Sequence, residues 1–298
     1  MRHPIAQHAA AWLETLYRTV GASDLAYRLA LQPRRATVSM HRVVTELLDA
    51  GTTIRIVFAS DFHAGGVTSA ALLASACETI EDLKPDLLLL GGDLVSTQAA
   101  DAPALLQLLT VHQPACGTYA VLGNHDHYAG ADQIALMLAD AGITLLRNAA
   151  VRLPLPRQTV WLCGLDDYNE GVHDASRTCA DTEGLRIVLM HSPESMGELA
   201  EQRFELAFCG HTHGGQIALP GGRPVLLPKG RLVRRYQAGA YRVTGTGTLI
   251  VSRGIGCDFL PVRLFSPSEV ILCELAGSGP ADYSAHPGLR AGDHREDL

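Results

Sequence analysis

The chain has 298 residues, of which 47% are hydrophobic and 18% charged, and 31 acidic against 24 basic side chains give a net charge of −7. This composition excludes a disordered chain, and its acidity argues against generic nucleic-acid binding, which depends on neutralising phosphates. Seven cysteines without a CxxC pair favour neither a disulfide framework nor a structural zinc site, so we expect a reducing, cytoplasmic compartment.

Residues 1–50 are predicted to form an extension of helix and strand character. The longest apolar runs of the chain are of strand length, and the N-terminus lacks the apolar core of a signal peptide. One helical face near the N-terminus is apolar and consists of Trp12, Leu13, Leu16, Tyr17 and Val20. Packing of this face on the main domain is the simpler interpretation. The alternative is that this face contacts the inner membrane peripherally. Residues 1–35 contain more arginines than acidic residues, which is compatible with that alternative.

From residue 54 onward, strand-like runs alternate with helical patterns. The strand-like runs cover residues 54–60, 86–93, 118–123, 160–165, 185–192 and 205–210. The helical patterns cover residues 69–83, 102–109, 132–141 and 194–201, and strands and turns dominate from residue 216 to 275. This order predicts an α/β fold with layers around two packed sheets, in one catalytic domain over residues 51–276. Residues 277–298 are predicted to be a disordered tail.

Polar side chains follow five of the predicted strands directly. They are Asp61 and His63, Asp93, Asn124 and His125, His191, and His211 and His213. Because ligands of open α/β sheets bind at the carboxyl ends of the strands, we expect these side chains to converge. Taken singly, each is more often a cap, a turn former or a hydrogen-bonded structural residue.

Taken together, the same residues predict a metal centre. Two carboxylates and five imidazoles in one cleft are electrostatically unfavourable without cations. Two divalent cations would balance them, and Asp93 could bridge the two. A ligand set of nitrogen and oxygen suits Mn, Fe or Zn, and the sequence does not choose among them. Paired cations of this kind catalyse hydrolysis of phosphoesters.

These motifs resemble the complete motif set of calcineurin-like metallophosphoesterases. The resemblance covers roughly residues 54–275 and implies two packed mixed β-sheets flanked by helices, in four layers. It implies one metal held by Asp61, His63, Asp93 and His213, and a second held by Asp93, Asn124, His191 and His211. It also implies that His125 protonates the leaving group and that Asp126 orients His125.

The longer segment GHTHGGQIALP, residues 210–220, resembles a bacterial branch of phosphodiesterases within this superfamily. Some members of that branch cleave the pyrophosphate of UDP-2,3-diacylglucosamine. The expected function is hydrolysis of a phosphodiester or pyrophosphate bond, with a metal-bridging hydroxide as nucleophile and His125 as general acid. The alternatives are a phosphomonoesterase or nuclease of the same fold and a non-catalytic metal-binding scaffold.

A locally basic segment follows the last metal motif. No acidic residue occurs between Glu205 and Asp258, whereas arginines are frequent there. Arg231, Arg234 and Arg235 are predicted to hold a small anionic phosphoester substrate, such as a nucleotide–lipid, and no nucleic acid is expected as partner. A solvated hairpin with ordinary surface arginines is the competing interpretation.

Overall fold

The computed structural model describes residues 4–111, 113–199 and 202–278. The helices are α1 (Pro4–Val20), α2 (Ala22–Arg28), α3 (Ala70–Asp82), α4 (Ala102–Leu109), α5 (Asn124–Asp140), α6 (Ala175–Cys179) and α7 (Arg231–Arg235), with 3-10 turns at Ala99–Asp101, Pro193–Gly197 and His213–Gly215. The strands are β1 (Thr37–Thr45), β2 (Thr53–Ala59), β3 (Leu87–Leu90), β4 (Thr118–Ala120), β5 (Thr144–Leu145), β6 (Ala149–Arg152), β7 (Val160–Gly164), β8 (Leu185–Leu189), β9 (Leu206–Cys209), β10 (Ala218–Leu219), β11 (Arg223–Pro224), β12 (Gly239–Val243), β13 (Gly247–Val251) and β14 (Glu269–Gly277).

Two six-stranded mixed sheets organise the chain. The first has the order β1-β14-β2-β3-β4-β5, and the second has the order β12-β13-β9-β8-β7-β6. Strands β2, β3, β4 and β5 run parallel, and β14 is antiparallel to β2. In the second sheet, β7, β8, β9 and β13 run parallel, and β6 and β12 are antiparallel edge strands.

The two sheets pack face to face over the central core. Alternate side chains of β2, such as Ile56 and Phe58, meet those of β8 and β9, such as Ile187 and Phe208. The opposite face of the first sheet packs on α3, α4 and α5, and the opposite face of the second packs on α6 and the segment around Met196. Four layers result, and the predicted fold class is confirmed.

Two helices differ from their predicted extents. Helix α5 begins at Asn124, where the Asp126 carboxylate accepts the Gly123 N–H and caps the first turn. A kink at Gly130, with φ 125°, separates this first part from the part that corresponds to the helix predicted over residues 132–141. The helix predicted over residues 194–201 is a 3-10 turn, Pro193–Gly197, capped by the Ser192 side chain, and residues 200–201 lie outside the described part.

The N-terminal segment is tied to the first sheet. Strand β1, which lies within the predicted N-terminal extension, pairs in parallel with β14 along all nine residues, so residues 37–45 form part of the first sheet. No helix in the described ranges combines the length and apolarity needed to cross a bilayer. Of the predicted tail, residues 279–298 lie outside the described residues, and Gly277 is the last residue of β14.

Only part of the apolar face predicted for α1 is covered by the rest of the protein. Leu13 and Tyr17 are half-buried against the domain, whereas Trp12 and Val20 are 68% and 61% exposed. The residue that anchors the helix is Glu14, which is buried. Its carboxylate accepts hydrogen bonds from the Gly66 N–H and the Thr97 hydroxyl, and it pairs with Arg18.

Candidate metal centre

Carboxyl ends of strands from both sheets meet at one site. Asp61 and His63 follow β2, and Asp93 follows β3. Asn124 and His125 open α5 after β4, His191 follows β8, and His211 and His213 follow β9. The predicted convergence therefore brings all eight side chains onto one edge of the sheet pair.

One cluster consists of Asp61, His63 and His213, whose ligand atoms all lie within 4.8 Å of one another. The Nε2 atoms of His63 and His213 are 3.1 Å apart, and His213 Nε2 is 3.5 Å from Asp61 Oδ1. All three side chains are buried. Ring nitrogens and a carboxylate that face one another at this spacing are suited to a shared divalent cation.

The second cluster consists of Asp93, His191 and His211. His191 Nε2 lies 3.1 Å from His211 Nδ1 and 3.3 Å from Asp93 Oδ2. The same Asp93 oxygen is 3.6 Å from His63 Nε2, which belongs to the first cluster. One carboxylate oxygen thus faces both clusters.

Two further observations fit a cation at the second cluster. The His191 Nδ1–H donates to the Gly91 carbonyl over 2.8 Å, and this hydrogen bond orients the ring so that Nε2 faces Asp93 and His211. Asn124 is buried, and its Oδ1 atom has no hydrogen-bond partner among the described residues. A buried amide oxygen of this kind is costly unless a ligand satisfies it.

The pKa values of the Asp61 and Asp93 carboxyl groups are shifted in opposite directions. Burial, reinforced by the negative charge of Asp93, raises the pKa of Asp61 to about 6. Burial acts in the same direction on Asp93, but the neighbouring His191 and His125 outweigh it and hold the pKa of Asp93 well below its usual range. The pKa of His63 lies well below its ordinary value because of burial and the nearby His125. A neutral imidazole beside carboxylates is the form that binds metal.

The backbone at these positions is strained. Five of the predicted ligands have positive φ although none is glycine: Asp61, His63, Asp93, His211 and His213. Each such conformation costs about 1–3 kcal/mol and is characteristic of functional sites. Close packing adds to this, because a Cβ atom on Gly123 would lie 2.2 Å from Asp93 Oδ1. The fold therefore holds the carboxylate in a fixed position.

His125 lies beside the first cluster. Its ring meets that of His63 edge-on at a centroid distance of 4.7 Å, and its Nδ1–H donates to the Ser96 carbonyl over 2.7 Å. Its Nε2 is 3.5 Å from Asp258 Oδ1. The Asp126 carboxylate, predicted to orient His125, instead accepts the backbone N–H groups of Gly123, Leu94 and Val95. Asp126 therefore acts on the backbone around His125, and Ser96 holds the ring.

Sequence reasoning missed Asp258 and Arg263. The buried Arg263 guanidinium lies 3.1 Å from His213 Nδ1 and also donates to the carbonyls of Gly256 and Ser266. It braces the loop that follows β9 against the 256–266 segment. The signal that could have found it is an arginine within an apolar run, where a buried charge demands several acceptors.

The three predicted substrate-binding arginines, Arg231, Arg234 and Arg235, are exposed on α7. This helix is anchored to the turn after His191, because the Glu194 carboxylate accepts the backbone N–H groups of Leu232 and Val233. Arg235 lies over the Tyr236 ring at 5.3 Å. The contacts of α7 described above are with Glu194 and Tyr236, and neither residue belongs to the two clusters.

Comparison with known proteins agrees with this geometry. A family model described as calcineurin-like phosphoesterase matches residues 54–215. A metallophosphoesterase of Aquifex aeolicus is 32% identical over 251 residues, which cover 81% of this chain and 92% of that protein. The metallophosphoesterase YkuE of Bacillus subtilis is 30% identical over 84% of this chain and 88% of its own length. Phosphodiesterase YaeI of Escherichia coli is 30% identical over 85% of this chain and 93% of its own length. The chain therefore belongs to the calcineurin-like phosphoesterase family and is a metal-dependent hydrolase of phosphoesters.

Proposed function

We propose that this protein hydrolyses phosphodiesters at a centre of two divalent cations. Asp61, His63 and His213 would hold one cation, Asn124, His191 and His211 would hold the other, and Asp93 would contact both. The observation that carries this proposal is the position of Asp93 Oδ2, which is 3.6 Å from His63 Nε2 and 3.3 Å from His191 Nε2.

Bound divalent cations at such a site polarise the phosphoryl oxygens and lower the pKa of water. The chain's own residues supply the remaining chemistry. With Nδ1–H committed to the Ser96 carbonyl, His125 can give a proton only from Nε2, so it is suited to protonate the leaving oxygen. Asp126 fixes the backbone that carries this ring. The relative named a phosphodiesterase supports a diester over a monoester substrate.

The test is an activity screen after reconstitution with Mn, Fe or Zn. Diesters, monoesters, cyclic nucleotides, DNA and the nucleotide–lipid pyrophosphate UDP-2,3-diacylglucosamine are compared. We expect hydrolysis of diesters above all, and its loss after chelation with recovery when the metal is restored. Undiminished diester hydrolysis by protein whose metal content has been shown to be zero would refute the proposal, as would a preference for monoesters.

The arginines of α7 are proposed to hold anionic parts of a large substrate. Reversing two charges, Arg234→Glu with Arg235→Glu, is expected to raise KM for a large anionic diester by at least about tenfold, since each lost charge-assisted contact is worth roughly 1.5–3 kcal/mol. KM for bis-p-nitrophenyl phosphate should stay unchanged. Arg152→Glu with Arg157→Glu is the matched control, since Arg152 is the exposed last residue of β6 and Arg157 is exposed in the loop that follows. Equal losses on both substrates would show that α7 has only a structural role.

The outer face of the N-terminal helices is proposed to rest on an anionic phospholipid bilayer. Five apolar side chains of α1, α2 and the residue that follows α2 are exposed to solvent: Trp12, Leu16, Val20, Leu25 and Leu29. Arg28, Arg34 and Arg35 are exposed at the end of the same segment. Exposed apolar side chains bordered by cations are typical of peripheral membrane contact, because insertion and headgroup attraction act together.

The fluorescence emission of Trp12 can report membrane contact. The chain has one other tryptophan, Trp161, which is half-buried on β7 and can be replaced. In a Trp161→Phe variant, the emission of Trp12 is expected to shift to shorter wavelength on phosphatidylglycerol vesicles and much less on phosphatidylcholine. Arg34→Glu with Arg35→Glu should reduce the shift. Emission that is unchanged by either vesicle would contradict membrane contact.

A further inference from the structure

Large apolar side chains are exposed on two segments that follow the last metal motif. One segment, residues 217–226, contains β10 and β11, and the other covers residues 260–265. The Ala218 N–H donates to the Leu264 carbonyl, and the Leu264 N–H donates to the Gln216 carbonyl, so the two segments are joined along β10. Exposed apolar groups gathered in this way are typical of interaction surfaces. Six side chains, between 43% and 77% exposed, are called the rim: Leu219, Val225, Leu226, Leu260, Leu264 and Phe265.

The rim is fixed to the metal centre through His213. The buried Arg263 guanidinium, within the second segment, lies 3.1 Å from His213 Nδ1, and the Ser266 hydroxyl donates to the His213 carbonyl. Strand β11 packs against the same turn, because a Cβ atom on Gly215 would lie 2.5 Å from Pro224 Cβ. The rim therefore lies next to a proposed metal ligand, and a partner that covers the rim also comes close to the metal centre.

The charge of this region indicates which partner fits the rim. Arg223, Lys229 and Arg231 are exposed within or shortly after the first segment. From residue 206 to residue 268 the only acidic side chain in the sequence is Asp258, which faces His125 Nε2. In a chain of net charge −7, such a local excess of cations attracts anionic surfaces. Apolar side chains bordered by cations match an anionic phospholipid bilayer, because the acyl region accepts the apolar groups and the headgroups attract the cations.

The rim also adjoins the N-terminal residues that are proposed above to rest on a bilayer. The Arg263 N–H, directly before Leu264 of the rim, donates to the Leu31 carbonyl over 2.8 Å. Leu31 is partly exposed, and it lies two positions after Leu29, one of the exposed apolar residues of the N-terminal segment. The two exposed apolar surfaces therefore meet at this hydrogen bond.

We propose that the rim rests on an anionic phospholipid bilayer and that the substrate is a lipid phosphodiester taken from that bilayer. This inference rests on the proposed function and names its substrate class. Contact through the rim places the metal centre beside the headgroup layer, because Arg263 and Ser266 join His213 to the rim. The acyl chains of the substrate then stay in the bilayer while its phosphodiester reaches the metal centre.

A fluorescent label tests the contact without turnover. In Leu226→Cys the new thiol is exposed, whereas the seven native cysteines are buried, so a nitrobenzoxadiazole label is directed to residue 226. Its emission is expected to shift to shorter wavelength on phosphatidylglycerol vesicles, and nitroxides on the lipid acyl chains should quench it. Leu136→Cys, at a similarly exposed position on α5, is the matched control, and its label should respond to neither.

Two results of the labelling experiment would overturn the proposal. Emission from residue 226 that the vesicles leave unchanged would show that the rim does not enter the bilayer, even where Trp12 responds. Emission that shifts with protein concentration in the absence of lipid would show that a second copy of the chain covers the rim.

The substrate class is tested with two diesters that share p-nitrophenol as leaving group. One is the p-nitrophenyl ester of phosphatidic acid in phosphatidylglycerol vesicles, and the other is the soluble p-nitrophenyl ester of glycerol phosphate. The measured quantity is kcat/KM for the vesicle substrate divided by that for the soluble substrate. Val225→Asp with Leu226→Asp is expected to lower this ratio about tenfold, since two apolar groups that enter the bilayer are replaced by anions that it repels.

The control for the ratio is Val111→Asp with Leu136→Asp, which changes two exposed apolar residues at the end of α4 and on α5 and should leave it unchanged. An unchanged ratio in the rim variant would overturn the proposal, as would hydrolysis of the soluble diester alone by the unmodified protein. Absence of hydrolysis of both diesters by the unmodified, metal-loaded protein would instead refute the proposed function, and the label would still report on the rim.

Discussion

Asp93→Ala is expected to abolish both activity and binding of the proposed metal pair. Its carboxylate is the only group that faces His63 and His191 at once among the described residues, so no neighbour can replace it. We expect kcat/KM for a diester to fall by at least about 10³-fold, since the stabilisation that the cations supply is worth several kcal/mol. Metal content, measured by mass spectrometry after desalting, should fall from two ions per chain.

The control for this variant is Asp132→Ala, which removes a fully exposed carboxylate on α5. Circular dichroism and a urea unfolding curve establish that Asp93→Ala still folds. If the folded variant retains two ions and normal activity, Asp93 has no bridging role and the assignment of the whole centre fails.

His125→Ala is expected to separate catalysis from metal binding. His125 is not among the proposed ligands, so both ions should remain, whereas kcat should fall by about 10²–10⁴-fold for a substrate with an alkyl leaving group. A p-nitrophenolate leaves readily without a proton, so the loss on that substrate should be much smaller.

This difference between leaving groups is the decisive measurement. A ring that acted only by packing against His63 would, on removal, reduce the rates of both substrates equally. Loss of metal from His125→Ala would also contradict the role of general acid. His127→Ala, the neighbouring residue whose Nε2 pairs with Asp166, is the matched control because that pair lies outside both clusters.

That the site residues lie close together could be predicted from the sequence, because the prediction depends only on short sequence patterns around each residue. Asp61, Asp93 and His191 each come shortly after an apolar run, and apolar runs of that length form buried strands whose carboxyl ends share an edge. The layered fold follows from the same alternation. No long-range information was needed to expect these groups near one another.

Other features depend on partners that are distant in sequence. Glu14 is a charged residue on an amphipathic helix, and a pattern predicts exposure for it. It is buried because Gly66 and Thr97, 52 and 83 residues away, supply its hydrogen bonds. For the same reason the pattern could identify the apolar face of α1 but not which half of it would be covered. Asp258 is positioned by Gln216, and no periodicity links the two residues.

The placement of β14 has a consequence for how the protein is made. Strand β14, the last strand of the described residues, lies between β1 and β2 and pairs with both, so the first sheet has a gap until Glu269–Gly277 has been synthesised. While the ribosome still holds this segment, β2 has an open edge of apolar residues, and β1 has no partner in the sheet order. Folding of the first sheet is therefore expected to be slow, as for other chains dominated by pairings between distant segments. A chain truncated before residue 269 would lose the strand that joins its N-terminal region to the catalytic sheet, and would be a substrate for chaperones or proteases rather than a smaller enzyme.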